Sequence, residues 1–207
     1  MPNEWVVHVV DDDLAVRQSL SFLLASDGLP VRLYESATAF LDSVKEAAGG
    51  CIVTDVRMPG IDGVEFLRHL KARGFALPVI VMTGHADVPL AGEAMKDGAV
   101  DFLEKPFDDD LLLGAVRAAL DRQERSARQD AQAVEVQARV QSLSERERQV
   151  LDGLVAGKAN KVIAYDLGIS PRTVEIYRAN VMSKMQAGSL SELVRMALLA
   201  GERLGGS

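Results

Sequence analysis

Residues 1–120 alternate short apolar runs with longer amphipathic stretches, and this alternation constrains the fold more than any other feature of the sequence. The runs, most of them rich in β-branched residues, are Trp5–Val10, Val31–Tyr34, Cys51–Thr54, Val79–Met82 and Val100–Leu103. The helix-length stretches between and after them are Leu14–Ser26, Ser36–Ala48, Gly63–Arg73, Val88–Asp97 and Asp109–Leu120. Strands that alternate with helices in this way predict an α/β fold, a doubly wound parallel sheet covered by helices on both faces.

Charge divides the 207 residues into unequal parts. Residues 1–120 contain 19 acidic and 10 basic side chains, residues 121–140 contain four of each, and residues 141–207 contain nine basic and seven acidic ones. An acidic first part disfavours direct binding of polyanions, whereas a weakly basic tail can meet phosphates locally. We therefore predict an α/β domain over residues 1–122, a helical linker over 123–141 and a smaller all-α domain over 142–207.

Composition excludes several classes of protein. Hydrophobic residues make up 48% of the chain and charged residues 26%, which is typical of a globular protein. No run approaches the roughly 18 apolar residues of a membrane helix, and the N-terminus lacks the basic start and apolar core of a secretory signal. The single cysteine, Cys51, allows no internal disulfide and is expected in the core. These features predict a soluble, cytoplasmic protein without a membrane partner.

The predicted linker contains neither Gly nor Pro and is rich in Gln, Arg, Glu and Ala. Small apolar residues recur at spacings of four, three and four, at Ala127, Ala131, Val134 and Ala138. This spacing is that of a thin coiled coil, but alanines form a weak contact surface. A solvated helical spacer that extends the preceding helix, Asp109–Leu120, is an equal alternative.

The tail has the signals of a helix-turn-helix. Ser144 followed by Glu147 forms a predicted capping box at the start of a helix, and Gly157 suits its end. The helices that follow are predicted at Ala159–Leu167, Pro171–Met185 and Ser191–Leu199. The turn between the first two contains a glycine, and a proline begins the next helix, as expected for helix-turn-helix motifs.

Three carboxylates are predicted to meet at one edge of the sheet. Asp11 and Asp12 directly follow the first apolar run, and Asp55 ends the third. In a five-stranded sheet of order 2-1-3-4-5, strands 1 and 3 are neighbours, and their carboxyl ends form the ligand crevice. Close carboxylates raise one another's pKa or recruit a cation, and oxygen ligands suit Mg²⁺. Helix capping requires only one of these acids, a role we assign to Asp13.

Two further residues follow strands at the same edge. Thr83 comes after the fourth apolar run, and Lys105 comes shortly after the fifth. An acyl phosphate on Asp55 would need a hydroxyl donor and cations around it. The position of these residues therefore indicates a phosphorylated carboxylate.

The sequence resembles a known family over nearly its whole length. Four segments resemble the motifs of a bacterial response-regulator receiver domain, at Val10–Asp13, Asp55–Gly63, Met82–His85 and Phe102–Phe107. The segments Leu143–Glu147 and Ser170–Val174 resemble a LuxR-type helix-turn-helix domain. In this order, the pair is similar to FixJ-type two-component transcriptional regulators.

The resemblance implies a role for each matching residue. Asp55 would accept a phosphoryl group from the phosphohistidine of a sensor histidine kinase. Mg²⁺ would be held by Asp11, Asp12, Asp55 and the backbone carbonyl of Arg57. The protein would then be a regulator rather than a turnover enzyme.

The resemblance also implies a switch. The Thr83 hydroxyl would move to the phosphate, the Phe102 ring would turn inward behind it, and a cis Lys105–Pro106 bond would aim the Lys105 amine at Asp55. Phosphorylation would promote a homodimer through helix 88–97 and strand 5, with promoter DNA and RNA polymerase as further partners. His85 is interpreted as a surface loop residue.

A helical wheel of Pro171–Met185 separates a buried stripe from a face available to DNA. The stripe is predicted at Val174, Tyr177, Val181 and Met185. The predicted DNA contacts are Arg172, Glu175, Ile176 and Ala179 on the open face, Thr173, Asn180, Lys184 and Arg178 on its flanks, and Lys161 on the preceding helix. Apolar Ile176 and Ala179 suit thymine methyl groups, whereas the flanking residues suit phosphates. Protein–protein packing of this face is the alternative.

Three other functions remain to be weighed against a phosphorylation-switched regulator. Asp11-x-Asp13 superficially matches the nucleophile motif of an aspartyl-phosphate phosphatase, although this would leave Asp55 and the helix-turn-helix unexplained. A nucleotide sensor would need glycines where the first turn has acids. A pseudo-receiver controlled without phosphorylation fits poorly with the complete acidic set.

Overall fold

A computed structural model describes residues 5–43, 49–84 and 88–202. The end of the predicted helix Ser36–Ala48 and the interpretation of His85 lie outside the described residues. The chain divides into two compact units, Met1–Ser126 and Ala127–Ser207, which are described separately below. The predicted domain boundaries at 122/123 and 141/142 stay predictions.

The first unit is built on a five-stranded parallel sheet of order β2-β1-β3-β4-β5, which confirms the predicted fold class. Its strands are β1 (Val6–Val10), β2 (Val31–Tyr34), β3 (Gly50–Asp55), β4 (Val79–Thr83) and β5 (Asp101–Glu104). Its helices are α1 (Leu14–Ser26), α2 (Ala37–Ser43), α3 (Gly63–Ala72), α4 (Val88–Asp97) and the first part of α5 (Asp109–Gln141).

The central strands are apolar because both faces of the sheet are covered. Val10, Ile52 and Val81 belong to the core on one face, with the aromatic rings of α2 and α3. Residues of opposite parity, such as Val9 and Ile80, belong to the core on the other face, with side chains of α1 and α5. The apolar runs of β1, β3 and β4 therefore mark strands that pack on both sides, whereas the edge strands β2 and β5 are largely exposed or half-buried.

Strand register brings the predicted site residues to one edge. Val10 pairs with Thr54 and Asp55 pairs with Met82. On the next pair of strands, β4 and β5, Thr83 pairs with Glu104. All these strands run parallel, so the residues that follow them emerge together at the carboxyl edge.

Helix α1 begins where a capping side chain was predicted. The Asp13 carboxylate accepts hydrogen bonds from the backbone N–H of Ala15 at 2.7 Å and of Val16 at 3.4 Å. These bonds satisfy N–H groups that have no partner within the helix. The prediction that Asp13 is the capping acid is confirmed.

Helix α5 runs from Asp109 to Gln141, so the predicted helix Asp109–Leu120 and the predicted helical linker form one helix. After Gly114 the helix contains no Gly or Pro to stop it. Near its end, Val136 is buried and Val140 packs beside it in the core of the second unit, whereas Ala131, Val134 and Ala138 are exposed. The coiled coil and the solvated spacer both stay predictions.

The second unit is helical, with α6 (Glu145–Val155), α7 (Asn160–Leu167), α8 (Pro171–Met185) and α9 (Leu190–Glu202) following the end of α5. The predicted capping box of Ser144 and Glu147 is present, with both reciprocal hydrogen bonds. Gly168 ends α7 in the left-handed region, at φ 65°, where an L side chain would be strained. The buried side chains of α8 are Val174, Val181 and Met185, with Tyr177 half-buried beside them.

Among the described residues, no helix combines the length and the apolar character needed to cross a membrane.

His8 is fully buried in β1 and is expected to make the first unit sensitive to acid. Its Nδ1 lies 3.1 Å from the Tyr34 hydroxyl, while its Nε2 has no hydrogen-bond partner in the described part of the chain. Burial, with the charge of Arg32 adding to it, lowers the pKa of His8 from 6.5 to about 4. Folding therefore favours neutral His8, and stability is lost as the pH falls from about 6.5 towards 4.

We expect a His8→Phe variant to remove this loss. Relative to the variant, the wild-type free energy of unfolding should fall by about 2 kcal/mol between pH 7 and pH 5. Urea titration followed by fluorescence of Trp5, the single tryptophan, measures it. Tyr34→Phe removes the hydrogen-bond partner but keeps the imidazole, so it should retain the acid sensitivity. Equal pH dependence in wild type and His8→Phe would contradict the assignment.

Candidate functional site

Asp11, Asp55 and Lys105 come together at the carboxyl edge of the sheet. The Lys105 ammonium nitrogen lies 2.5 Å from Oδ1 of Asp55 and 3.4 Å from Oδ2 of Asp11. The Asp11 side chain is only 2% exposed and that of Asp55 is 13% exposed. The site thus holds two carboxylates around one cation in a poorly hydrated environment.

Backbone groups fix the orientation of both carboxylates. The N–H of Arg57 donates to Oδ2 of Asp55 at 2.8 Å, and the N–H of Asp13 donates to Oδ1 of Asp11 at 2.8 Å. The Arg17 guanidinium, from the second turn of α1, donates to the backbone carbonyl of Asp11 at 2.7 Å. The sequence gives no distinct signal for this contact, because an arginine on an amphipathic helix usually faces solvent.

Burial and pairing act in opposite directions on the charged groups. Burial raises the pKa of Asp11, and the N–H of Asp13 and the charge of Lys105 only partly offset it. Burial would lower the pKa of Lys105, but the hydrogen bond and charge of Asp55, together with Asp11, raise it overall. The ammonium is therefore held in its charged form by the carboxylate pair.

The two predicted switch residues have different environments. Thr83 is fully buried, and its hydroxyl donates to the carbonyl of Gly84 at 3.2 Å. The Phe102 residue is 41% exposed, so its ring is not packed inward. The Lys105–Pro106 peptide bond is cis.

Only some of the predicted magnesium ligands lie at the carboxylate site. Asp12 is exposed, and within the described ranges no three His, Cys, Asp or Glu side chains are close enough to form a metal centre by themselves. Magnesium in proteins usually takes one or two carboxylates and keeps several waters. The buried Asp11 and the half-buried Asp55 offer hard oxygen donors with one excess negative charge over Lys105, which fits that chemistry.

The predicted DNA-binding face of α8 is open to solvent. Ile176 is 57% exposed although it is apolar and lies in the middle of the helix. The other exposed members of the predicted set are Lys161, Arg172, Glu175, Ala179, Asn180 and Lys184. Arg178 and Thr173 are half-buried, and the Thr173 hydroxyl lies 2.8 Å from that of Ser170, the residue that caps the helix.

Lys184 has a partner that the sequence did not suggest. Its ammonium nitrogen lies 2.7 Å from Oε2 of Glu147, whose side chain is 5% exposed. The helical wheel placed Lys184 on the flank of the recognition helix, α8, but gave no information about the neighbouring helix. The capping box was the only available signal that Glu147 points inward.

A parallel sheet with paired carboxylates and an ammonium at its carboxyl edge, followed by a helix-turn-helix unit, defines a DNA-binding response regulator. The chain belongs to the response-regulator family of the FixJ type. Residues 7–117 match the response regulator receiver domain, and residues 141–197 match the bacterial regulatory proteins of the luxR family.

Several known proteins are similar over nearly the full chain. The transcriptional regulatory protein FixJ of Azorhizobium caulinodans is 65% identical over 97% of this chain and 95% of its own length. FixJ of Rhizobium meliloti is 52% identical over 96% of this chain and 97% of its own. The response regulator protein TodT of Pseudomonas putida is 44% identical over 92% of this chain and 84% of its own.

Solved structures agree with this assignment. Full-length FixJ from B. japonicum is 56% identical, covers 97% of this chain and 98% of its own, and superposes with a TM-score of 0.62. The response regulator StyR is 37% identical, covers 94% of this chain and 98% of its own, and superposes with a TM-score of 0.80.

Proposed function

We propose that the protein is a transcription factor switched by phosphorylation of Asp55, with a sensor histidine kinase as the phosphoryl source. The observation that carries the proposal is the Lys105 ammonium 2.5 Å from Asp55, with the buried Asp11 carboxylate beside it. This arrangement suits a carboxylate that gains and holds a doubly charged phosphoryl group. An isolated ion pair would need no second buried acid.

The transfer is a displacement at phosphorus. An Asp55 carboxylate oxygen forms a bond to the phosphorus, the bond from phosphorus to the kinase's histidine nitrogen breaks, and that nitrogen keeps the electron pair. The product is an acyl phosphate on Asp55 and a free imidazole. Lys105 stays within reach of the new phosphoryl oxygens, and the N–H of Arg57 holds the carboxylate in place.

Magnesium is part of the proposal. Asp11, Asp12, Asp55 and the backbone carbonyl of Arg57 would hold the ion. When bound, Mg²⁺ would offset the negative charge that gathers on the phosphoryl oxygens. Asp11 would be the anchoring ligand because its carboxylate is buried and oriented by the N–H of Asp13.

Met95, an apolar side chain on α4 that is 42% exposed, supports a dimer of the phosphorylated form through α4 and β5. Phe102 on β5 is 41% exposed and would leave this surface on phosphorylation. Inward movement of Phe102 would follow when the Thr83 hydroxyl turns to the phosphoryl group. A dimer is useful because one recognition helix contacts too few base pairs for specificity, so two half-sites are expected.

Dimerisation is tested by sedimentation of the full chain with and without acetyl phosphate and Mg²⁺. We expect the sedimenting mass to double and the affinity for DNA to rise on phosphorylation. Beryllium fluoride, which mimics the phosphoryl group without transfer, serves as the control and should give the same dimer. An unchanged mass together with unchanged DNA affinity would contradict the switch.

In the DNA complex, Ile176 and Ala179 would contact base edges in the major groove, while Lys161, Arg178 and Lys184 are the flanking cations assigned to phosphates. Arg172, Thr173, Glu175 and Asn180 complete the proposed surface. RNA polymerase would be the further partner at promoters. The role is regulatory, since the phosphoryl group ends on the protein's own Asp55, so no sustained release of phosphate from esters is expected.

Replacing Ile176 by Asn should change which sequences are bound. Loss of the contact to a thymine methyl group should cost about 1–3 kcal/mol at the sites the wild type prefers, and little on random DNA. Lys161→Ala should instead weaken binding to all sequences alike and reduce the salt slope by about one. Selection of binding sites from a random pool, followed by titrations at several salt concentrations, measures both. Equal losses on selected and random DNA for Ile176→Asn would contradict the docking face.

A further inference from the structure

The Glu147 side chain is a buried anion between two helices of the second unit. It accepts hydrogen bonds from the backbone N–H of Ser144 and from the ammonium of Lys184, each at 2.7 Å. The Lys184 ammonium, followed by the N–H of Ser144, lowers the pKa of Glu147, so the carboxyl stays ionised. A buried carboxylate of this kind is stable only while its cation is present.

Lys184 lies in the last turn of α8, and a second cation meets the end of the same helix. The Arg139 guanidinium, from the end of α5, donates to the backbone carbonyl of Met185 at 3.0 Å. Carbonyl groups in the last turn of a helix have no partner within it and carry partial negative charge. Side chains from two other helices therefore fix the C-terminal end of the recognition helix.

We propose that Lys184 is a positioning residue, which holds the recognition helix on Glu147, and not a ligand of DNA phosphate. This inference rests on the proposed DNA-binding role of α8 and changes the assignment of one of its cations. Lys184 acts on DNA through the placement of the helix that carries Ile176 and Ala179.

Lys184 lies one turn after the exposed Asn180 on the same flank, so its position on the helix does not decide its role. The ion pair does, because the ammonium is held by a carboxylate whose side chain is only 5% exposed. Movement of the ammonium to a phosphate would leave the Glu147 carboxylate buried with Ser144 alone. Removing one partner of a buried ion pair is costly, whereas removing both charges is often nearly neutral.

A double substitution separates the two roles in the full-length protein. Lys184→Met alone should weaken binding to a random-sequence duplex about tenfold or more, because it leaves the Glu147 charge unpaired. Adding Glu147→Gln, which preserves the capping box, should restore most of the affinity and the wild-type salt slope. Lys161→Met is the matched control, a lysine proposed to contact phosphate, and should lower the slope by about one.

The opposite result is equally clear. A double variant that binds no better than Lys184→Met, with a salt slope lower by about one, would make Lys184 a phosphate ligand and overturn the inference.

Hydrogen exchange of the free protein provides a test that does not need DNA. Amides in the last turn of α8 should exchange faster in Lys184→Met than in wild type, and at wild-type rates in Lys161→Met. Unchanged exchange in Lys184→Met would overturn the positioning role. Failure of the wild type to bind any DNA would contradict the proposed function, while the exchange rates would still decide between the roles of Lys184.

Discussion

Replacing Asp55 by Asn is expected to abolish phosphoryl transfer to the protein. An amide oxygen is a poor nucleophile, and the product would lack the acyl phosphate that Lys105 is placed to hold. The intact mass of the protein, measured after incubation with acetyl phosphate and Mg²⁺, should increase by one phosphoryl group in wild type and remain unchanged in the variant. The DNA affinity of the variant should not respond to the phosphodonor.

Asp13→Asn is the matched control for this substitution. It makes the same chemical change two residues from Asp11, and Asn can still accept the hydrogen bond of Ala15 as the cap of α1. We expect this variant to be phosphorylated at a rate similar to that of wild type. Phosphorylation of Asp55→Asn at the wild-type rate would rule out Asp55 as the acceptor and would mean that another residue is phosphorylated.

Replacing Gly63 by Ala is expected to damage both stability and phosphorylation. A Cβ at this position would lie 2.5 Å from the backbone oxygen of Asp55 and 2.9 Å from Cα of Val56. Both neighbours belong to the backbone, which cannot move aside as a flexible side chain could. Overpacking of this kind costs about 1–3 kcal/mol. The strain falls directly on the residue that carries the proposed phosphoacceptor.

Gly114→Ala tests whether the effect is specific to the contact. Gly114 lies in α5 with open space where a Cβ would be added, so alanine should stabilise the helix by about 0.5–1 kcal/mol. Urea titration with Trp5 fluorescence and the initial rate of phosphorylation measure both variants. Gly63→Ala with wild-type stability and rate would show that the end of β3 accommodates the methyl group.

The sequence predicts the sheet well because its physical signals are local. A buried parallel strand needs a continuous apolar run, so Cys51–Thr54 and Val79–Met82 could be recognised without tertiary information. The convergence of Asp11, Asp55 and Lys105 follows from strand order, since parallel strands place their following residues at one edge. Helix starts with capping residues, such as Asp13 and Ser144, could also be predicted from the local sequence.

Other features depend on contacts between distant residues. Nothing near Lys184 in sequence indicates Glu147, which is 37 residues away. The regular spacing of Ala131, Val134 and Ala138 predicted a contact surface on one side of the linker. The residue that packs in the core of the second unit is Val136. Whether His8 faces solvent or aromatic rings is likewise decided by the elements packed over β1, not by its neighbours along the chain.

The buried hydroxyl of Thr83 and the exposed ring of Phe102 have a thermodynamic consequence. If Thr83 left Gly84 with no phosphoryl group present, its buried hydroxyl would lose an acceptor at a cost of about 1–3 kcal/mol, while burial of Phe102 would return roughly 1 kcal/mol. The resting arrangement would then be favoured by at most about 2 kcal/mol before phosphorylation. A hydrogen bond to a charged phosphoryl oxygen, worth about 1.5–3 kcal/mol, would then shift the population roughly ten- to hundredfold. A protein balanced in this way would bind DNA measurably before phosphorylation. Small substitutions at either residue would change this basal binding as much as the increase on phosphorylation.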